Sequence, residues 1–111
     1  MGIPVPREAD IQRLCIDWLR SQGFVAIRTN SAAMKIDGRF IRANSEPGCS
    51  DVLCCAPDGA FLAIEFKRPG GNATEKQLSF LAAVTKRNGL ALVVSSLDQL
   101  VHALKLEGYE V

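Results

Sequence analysis

The sequence predicts an α/β protein, a small mixed central sheet with helices on both sides. Three observations predict it. Apolar residues recur at helical spacing near the start and again in the last third. Short β-type runs fill the middle, separated by Asp-Gly and Pro-Asp-Gly turns. A compact apolar run then stands between two helical segments, giving the order α, several β, then αβα.

A first helix is predicted over residues 7–22, with Pro6 suited to its first turn and Gly23 to its stop. Ile11, Leu14, Cys15, Trp18 and Leu19 form its apolar stripe, and Glu8 lies at the edge of that stripe. Residues 24–29 read as a strand. Asp37-Gly38 is a hairpin turn signal between strands at 34–36 and 39–43. A polar loop, 44–50, ends in Pro47-Gly48 and leads into a strand at 51–55. Pro57-Asp58-Gly59 turns that strand into another at 61–67. Thr74 and Gln77 form a capping box for a helix over 75–87, stopped by Asn88-Gly89. Residues 90–95 read as a buried strand. Ser96 and Gln99 form a second capping box for a helix over 97–106, and Gly108 releases the tail.

A chain of 111 residues fits one domain, 1–111. The net charge of +1 leaves room for a local basic patch without demanding one. No apolar run is long enough to span a membrane, and the start lacks the pattern of a secretory signal. Cys15, Cys49, Cys54 and Cys55 show no Cys-x-x-Cys spacing, and His102 is the sole histidine. This argues against zinc and for buried, reduced thiols in a cytoplasmic protein, bacterial or of a phage-infected cell.

The chemistry centres on Asp51, then Glu65-Phe66-Lys67, with Gly48 just ahead of the aspartate. Side chains alternate along a strand, so Glu65 and Lys67 share a face, away from Ile64 and Phe66. Two carboxylates suit Mg²⁺ or Mn²⁺, hard cations that take oxygen ligands and keep water. The main-chain carbonyl of Phe66 can add a ligand, and Lys67 can orient water or steady the charge of a pentavalent phosphate. A bare Asp and Glu-x-Lys pattern also fits a solvated surface ion pair.

Gly48-Cys-Ser-Asp51, Glu65-Phe-Lys67 and a following helix with Gln77 resemble the PD-(D/E)xK nuclease superfamily. Within it the chain most resembles the VRR-NUC domain in its small stand-alone form from phages and bacteria. The resemblance takes in Glu8, Arg28-Thr-Asn30, Lys67-Arg68-Pro69 and Leu92-Val93-Val94. It departs at Ser50, where the superfamily name has proline. It implies a restriction-endonuclease-like fold and metal-dependent DNA cleavage, with branched DNA such as four-way junctions as the leading substrate. It also implies metal binding at Asp51 and Glu65, completed by Glu8, and catalysis at Lys67 with Gln77 facing the site. Gln77 as a capping partner would compete with that role. Glu8 can alternatively serve only the helix N-terminus.

Arg28, Lys35, Arg39, Arg42, Arg68 and Lys76 are the candidates for phosphate contacts. A small subunit carries one site, and cutting two strands needs two, so a homodimer is expected. The alternatives are a nuclease-fold module that binds branched DNA with little catalysis, and an interaction protein whose Asp51, Glu65 and Lys67 are a surface salt-bridge cluster.

Overall fold

The computed structural model describes residues 6–29, 33–42 and 44–111. Of the predicted positions, Asn30 and Ala43 lie outside the described residues, as does the side chain of Arg42. The elements are α1 (Glu8–Ser21), β1 (Val25–Arg28), β2 (Ala33–Ile36), β3 (Arg39–Arg42), β4 (Val52–Cys55), β5 (Phe61–Phe66), α2 (Glu75–Lys86), β6 (Leu90–Val94) and α3 (Leu97–Leu106). The main sheet runs β1-β4-β5-β6, and β2-β3 form a separate two-stranded sheet. The β1/β4 and β4/β5 pairs are antiparallel and β5/β6 is parallel, so the sheet is mixed as predicted.

Each helix stops where the sequence supplies a residue that tolerates positive φ. Gly23 (φ 88°), Asn88 (67°) and Gly108 (93°) each follow a helix. After α1, Gly23 N–H donates to Arg20 and Phe24 N–H to Leu19, and the same pair of bonds closes α2 and α3. The predicted capping box of α2 is formed in full. That of α3 is half formed: Ser96 accepts from Gln99 N–H, but Gln99 reaches back to Ser95 N–H instead of Ser96. Pro6 falls outside α1, whose N-cap is Arg7.

β5 divides the core. Leu62, Ile64 and Phe66 face α1 and α3, packing with Cys15, Leu19, Leu100 and Leu104. Ala63 faces α2 and packs with Leu81 and Val84. Two expectations are corrected. Leu14 is 54% exposed, because α1 buries the Ile11, Gln12, Cys15, Ile16 and Leu19 face. Of residues 90–94 only Val94 is buried, Leu90, Ala91 and Leu92 being half-buried and Val93 exposed, because β6 is an edge strand. Trp18 packs beside the core and His102 is exposed.

Three of the four thiols are buried and Cys55 is exposed, which corrects the all-buried expectation. Cys54 and Cys55 point to opposite faces of β4, so one is covered by α1 and α3 and the other is not. Burial pushes the Cys15 thiol up to about 11 and Cys54 to about 12.

Candidate active site

The Asp51 end of the sheet is fixed by main-chain bonds. Thr29 N–H donates to the Asp51 carbonyl at 3.0 Å, and Thr29 Oγ1 donates to the Ser50 carbonyl at 2.7 Å. Asp51 stands just ahead of β4. The β4–β5 register, with Val52 opposite Ile64, sets it beside Glu65. Asp51 Oδ2 accepts the Phe66 N–H at 2.9 Å. In an extended strand the N–H and C=O of one residue leave from the same edge, so the Phe66 carbonyl is also turned toward Asp51.

Gly48 sets the approach to this aspartate. Its φ is +72°, and a Cβ there would overlap the Lys76 carbonyl in the first turn of α2. Backbone thus packs on backbone, and the loop forms a wall of the site. Gly48→Ala is expected to cost roughly 2–4 kcal/mol of stability from left-handed strain and overlap together. Urea unfolding measures it; a midpoint within error of the parent would mean the loop does not hold this approach.

Glu65 and Lys67 point to the α2 side, as alternation requires. Glu65 is 1% exposed, which removes the solvated surface pair from consideration. Its Oε1 lies 3.7 Å from Lys67 Nζ and accepts from Gln77 Nε2 at 3.1 Å. The other end of the Gln77 amide, Oε1, accepts from Thr74 N–H at 2.8 Å. The two roles expected to compete are therefore both served, one by each end of the amide. Gln77 ties the N-terminus of α2 to the buried carboxylate.

Glu65 Oε2 is buried with no hydrogen-bond partner among the described residues. A buried carboxylate oxygen left without a donor is costly. Burial, reinforced by the nearby charge of Asp51, raises the Glu65 carboxyl to about 8 against the pull of Lys67. Glu65 is thus mostly protonated in the metal-free protein at neutral pH. The proton-bound fold is favoured, so this stability is fully present below the ordinary carboxylate pKa and is lost as pH rises through about 8. The metal-free protein should melt lower at pH 8.5 than at pH 5.5, and Glu65→Gln should flatten that slope. Equal slopes in calorimetry would contradict the assignment.

Glu8, Cys49, Asp51, Glu65, Lys67, Lys76 and Gln77 line one open pocket of about 290 Å³. Glu8 accepts from Arg68 N–H at 3.3 Å. Among the described residues no three His, Cys, Asp or Glu side chains stand close enough to hold a metal by themselves. The near donors are therefore the Asp51 and Glu65 carboxylates, with the Phe66 carbonyl beside them. Two carboxylates, one with an orphaned oxygen and able to shed its proton to a cation, fit a hard metal ion that keeps water or takes substrate oxygens for its remaining positions. Of the predicted phosphate contacts, Lys76 lines the pocket and Arg68 borders it through Glu8. Arg28 lines a different groove, against α1, and Lys35 and Arg39 are exposed on the β2–β3 hairpin. Sequence reasoning passed over Cys49 as a wall of the site, although its place two residues before Asp51 was a usable signal.

The model of the VRR-NUC domain matches residues 7–98, most of the chain and all of these site residues. The chain belongs to the VRR-NUC domain family. A solved structure titled "VRR_NUC domain" is similar at 21% identity with a TM-score of 0.66, covering 93% of this chain and 97% of that one. That likeness shows the fold, and the restriction-endonuclease-like α/β architecture is the one observed. No curated protein matches the chain significantly. This VRR-NUC domain is thus a nuclease-fold domain. Among the described residues no helix is long and apolar enough to cross a membrane.

Proposed function

We propose that this VRR-NUC domain is a divalent-metal-dependent DNA endonuclease that hydrolyses phosphodiesters and prefers branched DNA, four-way junctions above all. The observation that carries the reading is the buried Glu65, with an orphaned oxygen, set beside Asp51 and flanked by Lys67 and Gln77. A surface ion pair would need none of this burial.

Asp51 and Glu65 would hold Mg²⁺ or Mn²⁺, with the Phe66 carbonyl as a further ligand and Glu8 acting through water from the opposite wall. The ion, when bound, supplies Lewis-acid polarisation of the phosphate and a more acidic water. Lys67 places a cation where charge grows on the phosphate oxygens. The water oxygen forms the new P–O bond and gives a proton to solvent, while the P–O bond to the leaving ester oxygen breaks and that oxygen takes a proton from solvent. Gln77 fixes the rotamer of Glu65. Lys76 and Arg68 grip phosphates flanking the cut, with Arg28, Lys35, Arg39 and Arg42 as more distant contacts.

Near-neutral net charge gives no strong global pull on a duplex. Two subunits on a two-fold axis double the basic surface and present two sites to a substrate of matching symmetry. The protein is therefore read as a homodimer acting in the cytoplasm. A cleavage panel of single-stranded, duplex, flap and four-way-junction DNA with Mg²⁺ or Mn²⁺ tests this. Junctions should be cut fastest, and binding should weaken steeply with salt. No cleavage of any of them would leave a binding module, and equal rates on junction and duplex would end the branched-DNA preference.

A further inference from the structure

The catalytic pocket does not close at Lys76. Helix α2 and the 44–48 loop border a groove that leads away from it along the helix. Lys76 lines both the catalytic pocket and a neighbouring one of about 440 Å³, walled by Pro47 and Phe80. Glu46 and Ala83 line that neighbour and a further pocket of about 450 Å³, formed by Phe61 and Val84 with Arg87 at its rim. Shared walls make these pockets one path, from the buried carboxylate to the far end of α2. From Lys76 to Arg87 the path is about 16 Å long, by the rise of an α-helix.

The loop wall holds its own shape. Gly48 packs backbone on backbone against Lys76. Asn44 Oδ1 accepts the Glu46 N–H at 3.0 Å, and Cys49 N–H donates to the Glu46 carbonyl at 3.2 Å. The groove is apolar and aromatic inside: Phe61 is 46% exposed and Phe80 half-buried, so both rings are within reach of a guest. A cation stands at each end. Lys76 is at the catalytic end, and the Arg87 guanidinium at the other is held beside the pocket by a 3.0 Å bond to the Ala83 carbonyl. The exposed carboxylates of Glu46 and Glu75 also line the path. A carboxylate repels a phosphate but accepts from the N–H groups of a base, as acidic side chains do from cytosine.

We infer that this groove seats an unpaired strand of the DNA substrate, its bases inward against Phe80 and Phe61 and its phosphates outward toward Lys76 and Arg87. The inference rests on the nuclease reading above and names the part of a branched substrate that the protein holds. Pockets of this size admit a base and exclude a duplex. In a paired arm the bases are already stacked on one another, whereas an unpaired strand can offer them to a protein ring. Every base has a π-face, so this contact demands no particular sequence. A small apolar ligand would account for Phe61 and Val84, but not for the continuity with the catalytic pocket or for the cation at each end.

The test uses the full chain without metal, so that nothing is cut, and a fluorescent duplex carrying a short single-stranded arm. Anisotropy should show the natural arm bound roughly tenfold or more tighter than an arm of the same sugar-phosphate with its bases removed. Phe61→Ala, and Ala83→Glu at an exposed position of α2, should each bring the natural arm down to the affinity of the baseless one. Melting curves verify the folds, and Ala83→Glu carries the test if Phe61→Ala does not fold. Iodouracil placed in the arm should crosslink on irradiation to the peptides that hold Phe61 or Phe80. Equal affinity for the two arms, crosslinks confined elsewhere, or variants that keep the parent's preference would each overturn the inference. So would a two-chain parent that Ala83→Glu splits into single chains with arm binding unchanged, which would give the groove to a second copy. Cleavage by the parent with Mn²⁺ is read separately. Cleavage without the arm preference sinks this inference alone, and the arm preference without cleavage sinks the nuclease reading alone.

Discussion

Lys67→Ala should abolish most DNA cleavage while leaving the protein folded and able to bind Mn²⁺. The ammonium lies 3.7 Å from Glu65 Oε1 and lines the pocket where the phosphate must sit. Removing one preorganised charge of this kind lowers the chemical rate by roughly 10²–10³-fold. Its effect on stability should be small, about 1 kcal/mol or less. In the metal-free protein Glu65 is largely protonated, so Lys67 there faces a neutral acid and forms little of an ion pair. Single-turnover cleavage at saturating metal separates the two effects. A variant that cleaves at the parent rate would remove Lys67 from the chemistry, and one that loses Mn²⁺ binding would make it part of the metal's support.

Much of this site was legible because it follows from local rules. The two-residue period of a strand put Glu65 and Lys67 on one face, and they are there. The turn at Pro57-Asp58-Gly59 made β4 and β5 neighbours, which brought Asp51 to Glu65. Glycine or asparagine marked every helix end. What escaped was set by tertiary packing. A strand glutamate reads as exposed until α2 is known to cover it, and no pattern in residues 61–67 shows that burial. Gln77 looked like a residue forced to choose, because a sequence does not show that its amide lies between Thr74 and Glu65. The exposure of Leu14 and the edge position of β6 likewise depend on which neighbours arrive.

Mn²⁺ binding should release about one proton per ion at pH 6.5, and Glu65→Gln should release none while binding far more weakly. The Glu65 carboxyl, raised to about 8, must lose its proton before both of its oxygens can serve a cation. Affinity in the parent should therefore climb by up to about tenfold per pH unit and level off above the Glu65 pKa. Asp51→Asn should also weaken binding, since it replaces an anionic ligand with a neutral amide. It should flatten the pH dependence too, because Asp51 is one of the groups that raise Glu65. The two variants thus differ in kind, one removing the proton and the other removing part of the reason it is held. Calorimetric titration in two buffers of different ionisation enthalpy counts the protons. Metal should likewise raise the melting temperature of the parent, and more at pH 7.5 than at pH 5.5, since only the folded site binds. Binding that is independent of pH in the parent, with no proton transferred to buffer, would mean that the cation is held elsewhere and that Asp51 and Glu65 are not its ligands.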